Sequence, residues 1–239
     1  MNKPFLHTVL SPRLLDIYDC TGSIVVIIDV FRATSTIATA LYNGAEYIVP
    51  VDAVDTCIQI GKKLGGITAG ERDGKVIEGL QYGNSPAEYP RSFIEGKKLV
   101  LTTTNGTKLL HMALKAGAEA VITGSFPNLT KVCEFLIEQK KPVLLGCSAW
   151  KDRFNLEDTL FAGAVINRVK QHFTIHCDSS LMAENMYVAN KDKRYEFIRQ
   201  LTHWHRLEKF GLEKDLEYCV TEDVAPVLPF YRDGKLIGL

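Results

Sequence analysis

The 239-residue chain sets 28 Lys and Arg against 28 Asp and Glu, so its formal net charge is zero. That balance argues against a nucleic-acid binder, which would show a basic stripe, while a small anion needs no more than a local patch. The length suffices for one large α/β domain over 1–239 with an ample core, and no apolar run approaches the roughly 20 residues of a membrane span. The opening Met1-Asn2-Lys3-Pro4-Phe5 lacks an extended apolar stretch, so no signal peptide is expected. The cysteines at 20, 57, 133, 147, 177 and 219 form no C-x-x-C pair, so zinc is not expected. Most sit in apolar surroundings and read as reduced core thiols of a cytoplasmic protein.

In chain order, the first clear element is a buried apolar strand over 24–30 that ends in Asp29. Arg32, Thr34, Ser35 and Thr36 follow and open a helix over 33–43. In open α/β sheets, ligands gather at the carboxyl ends of strands, and helix N-termini there offer unpaired N–H groups to anions. A carboxylate at a strand tip can hold a hard cation, and an arginine three residues on can fork onto a phosphate. The segment therefore points to metal-assisted chemistry on a phosphorylated small molecule. The plainer alternative is an N-cap aspartate and a surface arginine.

A strand over 46–51 and a helix over 53–64 come next. Residues 65–97 break the rhythm with Gly70-Glu71-Arg72-Asp73-Gly74 and Gly83-Asn84-Ser85-Pro86, and read as a segment covering an active site. A strand over 98–103 runs into Thr102-Thr103-Thr104-Asn105-Gly106-Thr107 and a helix over 106–116. A structural loop needs one cap and one glycine, not that succession of polar residues. Then follow a strand at 119–123, a helix at 128–140, a strand at 142–147 with a polar end, and a helix at 157–170. Glycines in Asn43-Gly44-Ala45-Glu46 and Ala116-Gly117-Ala118-Glu119 sit just past helices, before apolar strands. Alternation of this kind implies a layered, mostly parallel sheet.

Beyond 171 the chain is more helical and more charged. The apolar positions Phe197, Ile198, Leu201, Trp204, Leu207 and Phe210 fall at helical spacing over 195–210, a packing face on which His203 and His205 read as solvated or core-edge. The tail reads as a hairpin of 224–231 and 235–238 around Arg232-Asp233-Gly234. No feature fixes an oligomeric state; a homodimer is the commonest arrangement.

Taken together, the motifs resemble the 2-phosphosulfolactate phosphatases, the ComB-like family. The matching pieces are Asp29-Val30-Phe31-Arg32-Ala33-Thr34-Ser35-Thr36, Ala69-Gly70-Glu71-Arg72, Gly83-Asn84-Ser85-Pro86, Thr102 to Thr107, and Cys147 with Glu157-Asp158 and Ala162-Gly163. They span roughly 24–170 in the family's order, and the C-terminal third matches less clearly. Phe31 stands where leucine is more frequent, and Gln81-Tyr82 replace an aromatic-acidic pair; both departures touch pocket shape more than chemistry. The resemblance implies a three-layer α/β/α fold and a magnesium-dependent phosphomonoesterase. Its substrate would be a sulfonated, phosphorylated three-carbon acid on the route to coenzyme M.

Phosphate ester hydrolysis needs charge neutralisation at the phosphoryl oxygens, an activated water or nucleophile, and leaving-group stabilisation. Mg²⁺ takes oxygen ligands, and Asp29, Glu71, Glu157 and Asp158 are the best carboxylates for its shell. Glu157 and Asp158 also suit a first helical turn on dipole grounds alone. Arg32 and Arg72 are the anion binders of choice, with a plain salt bridge as the alternative. Thr34, Ser35, Thr103, Thr104, Asn105 and Thr107 offer donors to the ligand, and Asn84 and Ser85 form a turn that closes the pocket. The expected catalytic set is Asp29, Arg32, Glu71 and Asp158, with Cys147 beside them. One rival reading makes Cys147 a thiolate nucleophile, since Cys147 to Arg153 fits C-x5-R after a strand; bulky Trp150 and the lack of glycine weigh against it. A second rival is a non-catalytic binder of a phosphorylated metabolite, which fold alone does not exclude.

Overall fold

The structure, a computed structural model, describes residues 3–72, 74–103 and 106–239. Its strands are β1 (Leu6–Val9), β2 (Ile24–Ile28), β3 (Tyr47–Val51), β4 (Ile67–Arg72), β5 (Lys75–Val76), β6 (Lys98–Thr102), β7 (Ala120–Gly124), β8 (Val143–Cys147), β9 (Pro229–Arg232) and β10 (Lys235–Gly238). Its α-helices are α1 (Ala33–Tyr42), α2 (Val54–Leu64), α3 (Arg91–Ile94), α4 (Gly106–Lys115), α5 (Leu129–Gln139), α6 (Leu156–Val169), α7 (Asp178–Asn190), α8 (Arg194–Ile198), α9 (Thr202–Leu207) and α10 (Glu213–Cys219).

The strands form one sheet in the order β1-β8-β2-β7-β9-β10-β3-β6-β4-β5. It consists of two parallel blocks. In one, β2 pairs with β7 and β8, and β8 with β1; in the other, β6 pairs with β3 and β4. The antiparallel hairpin β9–β10 joins them through Ile122↔Phe230 on one side and Leu236↔Ile48 on the other. Its turn holds Asp233 at φ 50° and Gly234 at φ 80°, as a tight two-residue connection demands.

Helices cover both faces, which gives three layers. Strands buried on both faces read as unbroken apolar runs. In β2, Ile24, Val26 and Ile28 face one core, shared with Phe126, Phe161 and the C-terminal helices. Val25 and Ile27 face another, shared with α4. Similarly Leu99 and Leu101 of β6 pack under α1 while Val100 meets Cys57 of α2. The connecting helices cross between blocks. α1 leaves β2 yet places Ile37, Ala40 and Leu41 on Ile48, Leu99 and Leu101. α4 leaves β6 yet places Leu109, Leu110 and Ala113 on Val25, Ile27 and Val121. This exchange brings the tips of β2 and β6 together: a Cβ built on Gly106 would lie 3.4 Å from Asp29 Oδ2.

The expected alternation over 24–170 is present within a residue or two at each boundary. The 65–97 segment is not all connection: β4 joins the sheet beside β6, with β5 folded back on it. The helical stretch over 195–210 is divided. The chain turns extended at Leu201 (φ −79°, ψ 145°) before α9, while the apolar positions Ile198, Leu201, Trp204 and Leu207 still face the core. The tail forms the expected hairpin, with its first strand beginning at Pro229.

Candidate active site

A cavity of about 240 Å³ lies beyond the carboxyl ends of β2, β4, β6 and β8. Asp29, Phe31 and Arg32 line it after β2, Glu71 and Arg72 at the end of β4, and Thr103 after β6. Trp150 and Lys151 come from the turn after β8, Asn84 from the segment before α3, and His203, Arg206 and Leu207 from α9.

The turn after β2 is folded by its own hydroxyls. Thr34 Oγ1 donates to the Asp29 carbonyl (2.9 Å) and accepts from its N–H (3.1 Å). Ser35 Oγ donates to the Val30 carbonyl (3.0 Å), and Thr36 Oγ1 to the Asn84 carbonyl (3.0 Å). Thr34 and Ser35 therefore shape the loop from behind and do not line the cavity. Arg32 lines the cavity from a buried position, with Nη1 2.5 Å from Asp215 Oδ2. Ser85 Oγ donates to the other oxygen of Asp215 (2.9 Å), so Ser85 acts on Arg32 through Asp215. Thr107 bonds its hydroxyl to that of Thr103 (3.0 Å), behind the wall. Thr104 and Asn105 lie outside the described residues.

The four acids separate into two kinds. Asp29 and Glu71 face the cavity. Burial pushes the Asp29 carboxyl up to about 6; the negative charges of Glu71 and Glu157 add to the rise, and His203 and the Ala33 N–H oppose it. Glu71 Oε2 accepts from the Gly74 N–H (2.8 Å). Asp158, by contrast, clamps two strand tips. Its oxygens accept from the Val30 N–H (2.9 Å) and the Ala149 N–H (3.3 Å). Burial, with Glu157 and Asp29 nearby, pushes its carboxyl well above the usual range. Glu157 is 1% exposed and sets Oε1 2.5 Å from His203 Nδ1, while its Oε2 is buried with no hydrogen-bond partner.

Cys147 ends β8, fully buried and outside the cavity lining. Burial and then the Asp158 charge push its thiol well above the ordinary value, the opposite of what a nucleophilic cysteine needs. Arg153 is exposed and pairs with Trp150 backbone to backbone, so the C-x5-R segment builds no anion cradle. Instead it forms a tight turn with Lys151 at φ 51° and Asp152 at φ 61°. Arg13 Nε (3.0 Å) and Lys108 Nζ (2.6 Å) hold the Asp152 carboxylate, and Ser11 Oγ (2.9 Å) holds its carbonyl. The turn presents Trp150 with the Lys151 ammonium 4.5 Å and the Arg206 guanidinium 3.8 Å from its ring centre. His203, expected to be solvated or core-edge, lines the cavity instead, because Glu157 holds its ring there; Arg206, Asp215 and Lys151 are cavity or supporting residues that the sequence did not single out. The spacing of His203 and Arg206, one helical turn apart beside the packing face, was the available signal.

Among the described residues no three His, Cys, Asp or Glu side chains assemble into a closed metal cage. Mg²⁺ does not require one, since it binds through one or two carboxylates and keeps waters and substrate phosphate. The donors present suit it. Two carboxylates share the cavity with the buried Asn84 Oδ1, which has no hydrogen-bond partner, and burial next to other acids leaves Asp29 short of positive charge.

The chain is similar to known proteins of one family. A family model described as 2-phosphosulpholactate phosphatase matches residues 9–234. A Thermotoga maritima protein named "Probable 2-phosphosulfolactate phosphatase" is 41% identical over 212 residues, covering 89% of this chain and 90% of its own length. Proteins with the same name from Caldanaerobacter subterraneus (33% over 234 residues, 96% of each chain) and Clostridium perfringens (32% over 237 residues, 97% and 95%) also align.

Proposed function

The chain belongs to the 2-phosphosulfolactate phosphatase family, and from that premise we propose that it hydrolyses 2-phosphosulfolactate to sulfolactate and phosphate with Mg²⁺ as cofactor. The observation that carries the reading is one cavity lined by two metal-type carboxylates, Asp29 and Glu71, together with the cations Arg32, Arg72, Lys151 and Arg206. Asp29 and Glu71 would hold the metal, with Asn84 Oδ1 beside them. Bound there, Mg²⁺ supplies charge neutralisation at the phosphoryl oxygens. Arg32, fixed by Asp215, presents a rigid guanidinium to the same oxygens. Arg72, at the mouth, reads the acid end of the substrate. Phe31, Trp150 and Leu207 exclude water from the carbon skeleton. The free thiols of all six cysteines support a reducing, cytoplasmic setting, and no described helix is long and apolar enough to cross a membrane.

The test is phosphate release from 2-phosphosulfolactate. Purified protein should turn it over, lose activity in EDTA, and regain it with Mg²⁺. Full activity in excess chelator overturns the metal assignment. Binding without turnover overturns the enzyme and leaves a metabolite-binding protein.

A further inference from the structure

The phosphatase reading leaves one step without an agent. When the P–O bond breaks, its electron pair goes to the alkoxide of a hydroxy acid, a poor leaving group unless it is protonated. We propose that His203 delivers that proton and that Glu157 positions it. The inference rests on the phosphatase reading and goes beyond it.

Two contacts fix the imidazole. Nδ1 lies 2.5 Å from Glu157 Oε1, across from the first turn of α6. The ring packs edge-on against Phe31, with centroids 5.7 Å apart and planes at 71°. His203 itself is 9% exposed, and the surface it keeps belongs to the cavity wall. With Nδ1 engaged, the nitrogen left for a ligand is Nε2. With Nδ1–H donated to the carboxylate, the doubly protonated ring gives its proton from Nε2 and the singly protonated ring takes one back there, the arrangement found where histidine moves protons. A histidine and a glutamate that merely join two helices would not need the ring in the wall of an anion-binding cavity. Nor would the glutamate need to be 1% exposed with its second oxygen unpartnered.

The step balances. Water oxygen bonds to phosphorus as the bond to the ester oxygen breaks. The ester oxygen takes the proton from His203 Nε2 and leaves as the alcohol. The attacking water keeps one hydrogen as the P–OH of the product. It gives up the other, which restores the proton on His203.

A proton donor matters in proportion to how badly the leaving group needs a proton. His203→Gln and Glu157→Gln are therefore assayed on 2-phosphosulfolactate and on a series of aryl phosphates ending with p-nitrophenyl phosphate, whose phenolate departs unaided. For His203→Gln, kcat on the alkyl ester should fall by about 10²–10⁴-fold, the usual worth of general acid catalysis, while p-nitrophenyl phosphate should be nearly spared. Glu157→Gln should show the same dependence on the leaving group with a smaller loss. His203→Asn, with melting curves for every variant, guards against a fold defect in any one of them. Equal losses across the series would make His203 an anion binder or a scaffold and overturn the inference with the phosphatase reading intact. Wild-type protein that hydrolyses none of the esters would overturn both.

Discussion

Asp29 is a carboxylate held where its charge is unwelcome, and that has a measurable consequence in metal-free protein. Its folded value of about 6 lies above the ordinary 3.8, so the folded chain binds this proton more tightly than the unfolded chain. The destabilisation is absent below the unfolded value, grows as pH rises through the interval between the two, and is full above about 6. Asp29→Asn removes it. In EDTA the variant should gain stability over wild type as pH rises through that interval and then hold a plateau. The gain is at most about 3 kcal/mol, and less because the half-buried carboxylate keeps some water. A melting-temperature difference that does not vary with pH contradicts this. The two arginines differ in the same physical terms. Arg32 is buried on Asp215, whereas Arg72 is exposed at the mouth. Arg32→Lys keeps the charge but loses the fork, and should lower kcat/KM about ten- to a hundredfold on 2-phosphosulfolactate and p-nitrophenyl phosphate alike. Arg72→Lys should penalise only the substrate with a second anion. Equal losses for Arg72→Lys on both substrates would remove it from the acid-end role.

At the scale of elements, α6 carries both the Asp158 clamp and Glu157, so its seat on α7 governs the site. A Cβ on Gly163 would come within 2.0 Å of the Ala183 carbonyl oxygen and 2.6 Å of its carbon. That is backbone, which cannot rotate away. Gly163→Ala should therefore cost about 1–3 kcal/mol or more from overpacking, read as a lower urea midpoint, with activity falling as α6 shifts. An unchanged midpoint would mean that α7 yields freely. The same elements explain what was legible in the sequence. β2, β6 and β8 announce themselves because strands buried on both faces must be apolar throughout. Their polar tips stand out against those runs, although at β2 part of that polarity folds the turn itself. β4 escaped because Ile-Thr-Ala-Gly-Glu-Arg is glycine-containing and polar at its end, and its place beside β6 is set by partners distant in sequence. Thr34, Ser35 and Thr107 looked like ligand donors because composition does not reveal which way a hydroxyl turns. His203 was legible as a helical residue but not as a cavity residue. Its value depends on Glu157, which lies 46 positions earlier and meets it only through tertiary packing.

For the molecule as a whole, the site exists because two parallel blocks are held together. The sheet alone holds them weakly, since the β9–β10 hairpin bridges to each block through a single residue pair. The exchange of α1 and α4 does more, because each block's core is completed by a helix that begins at the other block's strand tip. The C-terminal region adds to the linkage, with Asp215 on Arg32 and Trp204 and Leu216 in the first block's core. A chain tied this way should unfold as one unit, with calorimetric and van't Hoff enthalpies equal. Leu236 probes the junction: it is fully buried, pairs with Ile48 and packs in the core that α1 completes. Leu236→Ala leaves a cavity there and should cost about 2–5 kcal/mol. If the blocks are coupled as described, that loss lowers one melting transition without splitting it, and phosphatase activity disappears in the same temperature range as the tertiary signal. Two separate transitions in the variant, one of them at the wild-type temperature, would show that the blocks fold independently and that the helix exchange does not bind them.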